Sequence, residues 1–324
     1  MSTGNTVSTS NERGPIVGAV DPTVQPRYAG WTTFARLPRL QDVSHADVLV
    51  VGVPFDSAVT YRPGARFGPN AVRQGFRLIR GYNPELDIKP FEVCQYADAG
   101  DIACNPFDIA QAVDQIAGEL TGLLSGGRRA VVLGGDHSVA LPSLRAAHSV
   151  HGPMALVHFD THLDTWEGMY GADITHGSPF RRAFEEGLLR DNNIHVGVRG
   201  SIYDKQDLVE DADMGFSIVT CREISKIGSD GIIERIKERV GDAPVYVSVD
   251  IDVLDPAHAP GTGTPEAGGM SSRELLEVIR GLDDVNLVGA DVVEVSPAYD
   301  HAEITAVAAA NVTWELLSVF GRKA

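Results

Sequence analysis

Short runs of apolar residues, rich in valine, recur along the chain. They are DVLVVGVPF from Asp47, RAVVLGGD from Arg129, MALVHFD from Met154, IHVGVRG from Ile194, FSIVT from Phe216, PVYVSVDID from Pro244 and NLVGADVVEV from Asn286. A weaker run, VCQYADAGD from Val93, is more polar. Runs that are apolar on both faces suit strands of a parallel sheet covered on both sides. Between several of them the pattern becomes helical: DIAQAVDQIAGELTGLLSGG from Asp108, SSRELLEVIRGL from Ser271 and EITAVAAANVTWELLSVF from Glu303. Strand and helix in alternation predict right-handed crossovers and an α/β fold: a three-layer α/β/α sandwich on one mostly parallel sheet of roughly eight strands.

The start of the chain, MSTGNTVSTSNERGP, is polar and has no apolar core of a signal segment. Residues 1–25 are expected to form a flexible tail, and residues 26–324 one catalytic domain without internal repeat or linker. Hydrophobic residues make up 43% of the chain, enough for a large core. The formal net charge of −17 argues against nucleic acid and anionic membrane as partners and suits a small cationic substrate. No apolar run approaches the roughly 18 residues of a membrane span. The cysteines, Cys94, Cys104 and Cys221, are odd in number and lack a C-x-x-C pair, which points to buried thiols in a reducing cytosol and a cytoplasmic protein.

Several strands end in acid or histidine, and ligands of α/β sheets sit beyond the carboxyl ends of strands. After MALVHF comes Asp160-Thr161-His162-Leu163-Asp164, with three potential ligands at spacing two. In an extended chain they share one side. Asp250 and Asp252 share one face after PVYVSV, and Gly134-Gly135-Asp136-His137 presents His137 at a rim. Asp136 reads as a supporting partner rather than a ligand. Taken singly, each of these residues is more often a turn, cap or packed side chain. Taken together, four carboxylates cannot stay ionised side by side without cations. Two divalent metals resolve the charge, and oxygen with imidazole donors, free of thiolate, suits manganese.

GGDHS from Gly134, DTHLD from Asp160 and SVDIDVLDP from Ser248, running on through GTGTPE from Gly261, resemble the signatures of the ureohydrolases, the arginase and agmatinase family. RPGARFGP from Arg62, HGSPFRRAFEEGLL from His176 and EVSPAYD from Glu294 resemble the agmatinase branch more than arginase, and the likeness extends over residues 27–320. The resemblance implies an eight-stranded parallel sheet and two Mn2+ ions sharing a hydroxide. It implies that Asp160 and Asp250 bridge the metals, that His137 and Asp164 hold one, and that His162 and Asp252 hold the other. It makes His176 a proton shuttle and Glu294 the carboxylate that binds a guanidinium, with Thr264 and Glu266 in a loop beside the site. Asp164 would hydrogen-bond the attacking hydroxide and pass its proton to the leaving amine. Thr161 stands where most relatives have alanine and is expected to point away from the metals. Trp166 and Glu167 stand where arginase carries residues that hold an α-amino acid, which lowers arginine as substrate. The expected reaction is release of urea from a guanidino compound, agmatine first, with guanidinobutyrate, guanidinopropionate and other guanidino acids as alternatives. A one-zinc amidohydrolase of the deacetylase kind, or a scaffold without activity, would lack the six-ligand set. A homo-oligomer, trimer or hexamer, is expected from the relatives.

Overall fold

The computed structural model describes residues 14–323. The strands are β1 (Val48–Gly52), β2 (Tyr96–Asp101), β3 (Arg129–Leu133), β4 (Ala155–Phe159), β5 (Asn193–Val198), β6 (Phe216–Thr220), β7 (Val245–Asp250) and β8 (Leu287–Val293). They form one sheet in the order β2-β1-β3-β8-β7-β4-β5-β6, and every neighbouring pair is parallel. Each apolar run of the sequence becomes a strand. β2 is one of the two edge strands, with β6 at the other end, and its last residues are exposed, which fits its polar composition.

The helices are α1 (Gly68–Gly75), α2 (Pro90–Val93), α3 (Ile109–Leu124), α4 (Ala140–His151), α5 (Pro179–Glu185), α6 (Lys205–Asp213), α7 (Cys221–Val240), α8 (Ser272–Arg280) and α9 (Ile304–Arg322). Side chains alternate across the sheet. In β1, Val48 and Val50 join the core that includes α9, whereas Leu49 and Val51 join the core under α3. Burial on both faces is why these strands lack a polar period. Helix starts are set locally. Thr220 with Glu223, and Ser271 with Glu274, form reciprocal capping boxes that satisfy the first free amides of α7 and α8.

Two expectations need correction. α9 is long and apolar enough, by length and composition, to cross a membrane, although the sequence showed no unbroken apolar run of that length. Polar Asn311, Thr313 and Glu315 interrupt the run without making the helix polar, and most of it is buried in the core. Residues 1–13 of the expected tail lie outside the described residues. Within 14–25, Val17 exchanges two hydrogen bonds with the buried Gln95 side chain, at 2.7 and 2.9 Å, so contacts with the body begin before residue 26.

The sheet order places β3, β8, β7 and β4 side by side at its centre, although they are far apart in the chain. At the end of β3 the backbone passes through a narrow gap. A Cβ on Gly135 would lie 1.6 Å from the carbonyl oxygen of Phe55. The Gly135 carbonyl accepts the Glu294 amide at 2.8 Å, and the Phe55 carbonyl accepts the Asp136 amide at 2.8 Å. Gly135→Ala is therefore expected to cost about 3 kcal/mol or more of stability, measured by urea unfolding, because backbone rather than a movable side chain blocks the methyl. A loss under about 1 kcal/mol would contradict this packing.

Candidate metal centre and active site

The four central strands deliver their chemistry at their carboxyl ends. β3 leads through Gly134-Gly135 to His137, which opens a 3-10 turn capped by Asp136. β4 leads to Asp160 and the segment to Asp164, β7 ends at Asp250, and Glu294 follows β8. The extended geometry expected from the spacing does not persist. Asp164 has φ 55° and Glu294 φ 63°, both left-handed. Asp252 lies in the 3-10 turn Ile251–Val253 and donates its amide to Asp250 Oδ1 at 2.8 Å. Turns, not a continued strand, aim these carboxylates inward. Left-handed backbone in non-glycine residues is costly and concentrates where side-chain direction matters.

Two clusters result. His137 Nδ1 lies 3.1 Å from Asp160 Oδ2, 2.9 Å from Asp164 Oδ2 and 3.3 Å from Asp250 Oδ2. His162 Nδ1 lies 3.2 Å from Asp160 Oδ1 and 3.3 Å from Asp252 Oδ2. Asp160 turns one oxygen to each cluster. The four carboxylates are at most 5% exposed. Ser248 Oγ donates to Asp291 Oδ1 at 2.6 Å and therefore accepts from His137 Nε2 at 2.9 Å. That leaves the Nδ1 lone pair of His137 facing three carboxylates, and Nδ1 has no hydrogen-bond partner. A lone pair against anions is repulsive unless a cation lies between them. The residues present fit two divalent cations, with Asp160 common to both.

His176 and Glu294 adjoin this centre. His176 Nδ1 is 3.1 Å from Glu294 Oε1, and its Nε2 accepts the Thr60 amide at 3.2 Å. Glu294 Oε1 also accepts the His137 amide at 2.9 Å, whereas Oε2 is buried without a partner. Thr264 Oγ1 is 3.4 Å from Asp252 Oδ2. A cavity of about 200 Å³ opens over the centre. It is lined by His162, Asp164, His176, Asp250, Thr264 and Glu266, with Trp166, Met169 and Tyr203 on its wall. Asp136 stands aside, accepting from Ala58 N at 2.9 Å and from the Ser138 amide and hydroxyl. All ten sequence-predicted site residues thus lie at this one place.

A profile of the arginase family matches residues 46–318. Putative agmatinase 1 of Schizosaccharomyces pombe is 44% identical over 325 residues, covering 90% of this chain and 82% of that one. Guanidinobutyrase of Pseudomonas aeruginosa is 42% identical, covering 91% and 93%. The solved structure of proclavaminate amidino hydrolase from Streptomyces clavuligerus is 44% identical and superimposes with a TM-score of 0.89 over 93% of this chain and 100% of that one. The chain belongs to the arginase family. It is a metal-dependent hydrolase.

The arginase-family centre also contains buttresses that the sequence reading missed. Tyr246 donates to Asp291 Oδ2 at 3.0 Å, completing the support behind Ser248 and His137. His158 Nε2 is 2.9 Å from Asp160 Oδ2. Their signal was a polar residue inside an otherwise apolar strand, as with Ser248, Asp291 and His158.

Burial, then the neighbouring Asp160, pushes the Asp252 carboxyl up to about 7. Burial, Asp252 and Asp160 hold Asp250 well above the usual range. Burial lowers the proton affinity of His176, but its hydrogen bond to Glu294 more than reverses this, to about 9. The Thr60 amide at Nε2 opposes that second proton. Each of these groups binds its proton more tightly folded than unfolded. Stability from such groups is complete below the unfolded pKa and is lost as pH rises through the folded one. Burial holds His158 down to about 3, so its contribution runs the other way until its unfolded pKa near 6.5; above that the metal-free protein should lose stability as pH rises to about 9, in urea unfolding midpoints. Added Mn2+ should flatten the profile by replacing the protons. A metal-free midpoint that rises across this range would contradict these electrostatics.

Proposed function

We propose that the chain hydrolyses a small linear guanidino compound to urea and an amine, with agmatine as its preferred substrate and two Mn2+ ions as its cofactor. The observation that carries the reading is Glu294. One oxygen is fixed by His137 and by His176, a residue of the cavity lining, and the other is buried with no donor. A buried carboxylate oxygen without a partner is costly. A guanidinium is planar, charged at any physiological pH and rich in donors, and it meets this need. Manganese is supported by the oxygen and imidazole donors and by the absence of thiolate at the clusters.

Two such ions, when bound, supply Lewis acidity and a water that is deprotonated near neutral pH. The chain does the rest. Glu294 Oε2 holds the guanidinium with its carbon toward the ligand clusters. A carboxylate oxygen of Asp164 takes the proton of the attacking water and returns it to the leaving nitrogen. His176, between Glu294 and the cavity, carries protons to and from solvent. Thr264 steadies Asp252. Glu266 places negative charge beside the substrate tail.

Guanidino acids are the second reading, favoured by the likeness to guanidinobutyrase. The lining of the cavity favours agmatine. Among the described residues it contains Glu266 and no lysine or arginine to receive a carboxylate.

The test is urea release by Mn2+-loaded protein from agmatine, arginine, 4-guanidinobutyrate and 3-guanidinopropionate. Agmatine should show the highest kcat/KM. Preference for a guanidino acid would overturn the substrate assignment, and no urea from any of them would overturn the reaction. Glu294→Gln should lower kcat/KM about 10- to 100-fold, the worth of a charged hydrogen bond. His176→Asn should lower kcat about 100-fold with metal content unchanged. If metal content falls with it, His176 is not a proton carrier.

A further inference from the structure

Behind Asp160, on the side away from the cavity, three buried side chains form a line that the reaction above does not use. His158 Nε2 lies 2.9 Å from Asp160 Oδ2. His158 Nδ1 lies 2.7 Å from His195 Nδ1. His195 Nε2 lies 3.0 Å from Asp211 Oδ1, which also accepts from Thr165 Oγ1 at 2.9 Å. Both rings are fully buried and Asp211 is 1% exposed. The two histidines face each other because β4 and β5 pair with His158 opposite His195. Phe216 stacks on His195 with centroids 4.2 Å apart, and Phe180 lies 4.4 Å from His158, so neither ring is free to turn.

We propose that His195 and Asp211 are positioning residues of the metal centre, acting through His158 to hold Asp160 in the orientation that offers one oxygen to each metal. This rests on the metal-centre reading above. An ionised carboxylate only accepts hydrogen bonds, so Nε2 of His158 carries its proton. Nδ1 of His158 is then an acceptor, and the contact between the two Nδ1 atoms needs a proton from His195. Asp211 is also a carboxylate and only accepts, so Nε2 of His195 carries a proton as well, and the ring is held as an imidazolium that donates to His158 on one side and to Asp211 on the other. The far end of the line thus sets the tautomer at its near end.

The consequence falls on Asp160. Its Oδ1 accepts the His162 amide at 2.6 Å and its Oδ2 accepts from His158. Clamped from both sides, each oxygen keeps a lone pair for the cluster it faces. Without the donor on His195, the opposite tautomer of His158 becomes accessible. That tautomer sets a lone pair against Asp160 Oδ2 and turns the carboxylate. Partners behind a metal ligand typically affect affinity by about 10- to 100-fold.

The test compares near-isosteric pairs. In His195→Asn an amide N–H replaces Nδ1–H and can still donate to His158, whereas His195→Leu cannot. Asp211→Asn keeps an acceptor for His195, whereas Asp211→Leu does not. Mn2+ affinity is read by chelator competition, alongside metal-free melting temperature and the kcat and KM for urea release. Both leucine variants should bind the weaker ion about 10- to 100-fold less tightly. At saturating Mn2+ their kcat should fall with KM little changed, because the cavity is untouched. Both asparagine variants should stay within a few-fold of wild type. Equal metal affinity of the leucine and asparagine variants at each position, whether preserved or reduced together with melting temperature, would overturn the positioning role. Failure of the wild type to bind two ions would instead overturn the metal-centre reading itself.

Discussion

Four buried carboxylates meet at the ends of adjacent strands, and charge of that density is tolerated only where opposite charge is supplied. Asp160, Asp164, Asp250 and Asp252 surround two imidazoles, and His137 presents a bare lone pair to three of them. The rest of the architecture serves this crowding. The sheet order gathers β3, β8, β7 and β4 from distant parts of the sequence. Gly135 lets two backbone segments close on the end of β3, and left-handed backbone at Asp164 and Glu294 turns their side chains inward. A fold that must bring repelling groups together needs a stiff frame, and a parallel sheet buried on both faces provides one.

Support for the ligands is graded by depth. His137 is backed by Ser248, Asp291 and Tyr246, and Asp160 by His158, His195 and Asp211. Each line fixes a hydrogen-bond direction that a lone imidazole or carboxylate would leave open. On the opposite side lies the cavity, lined by His176, whose partner Glu294 keeps one buried oxygen unpaired. Structural demand thus faces inward and substrate demand faces outward.

Much of this was legible in the sequence for physical reasons. Strands buried on both faces must be apolar throughout, so all eight runs stood out, with β2, whose last residues are exposed at one edge, the weakest. Asp160, His162 and Asp164 stood out because acids and histidine cluster immediately after an apolar run. The reason given for their convergence was incomplete. Spacing of two suggested an extended chain, but a left-handed residue and a 3-10 turn bring Asp164 and Asp252 into place. Such turns depend on tertiary contacts that no local pattern displays. The pairing of His158 with His195 was hidden because register between β4 and β5 is a property of the assembled sheet. The cavity wall of Trp166, Met169 and Tyr203 joins separate loops and was equally hidden.

The central claim is that the two clusters hold two ions joined through Asp160. Crystals of the Mn2+-loaded protein, measured at the manganese absorption edge, test it most directly. The account predicts two anomalous peaks roughly 3.5–4 Å apart, one beside His137 and one beside His162, with an oxygen of Asp160 on each. A single peak, or two peaks without Asp160 between them, would contradict it.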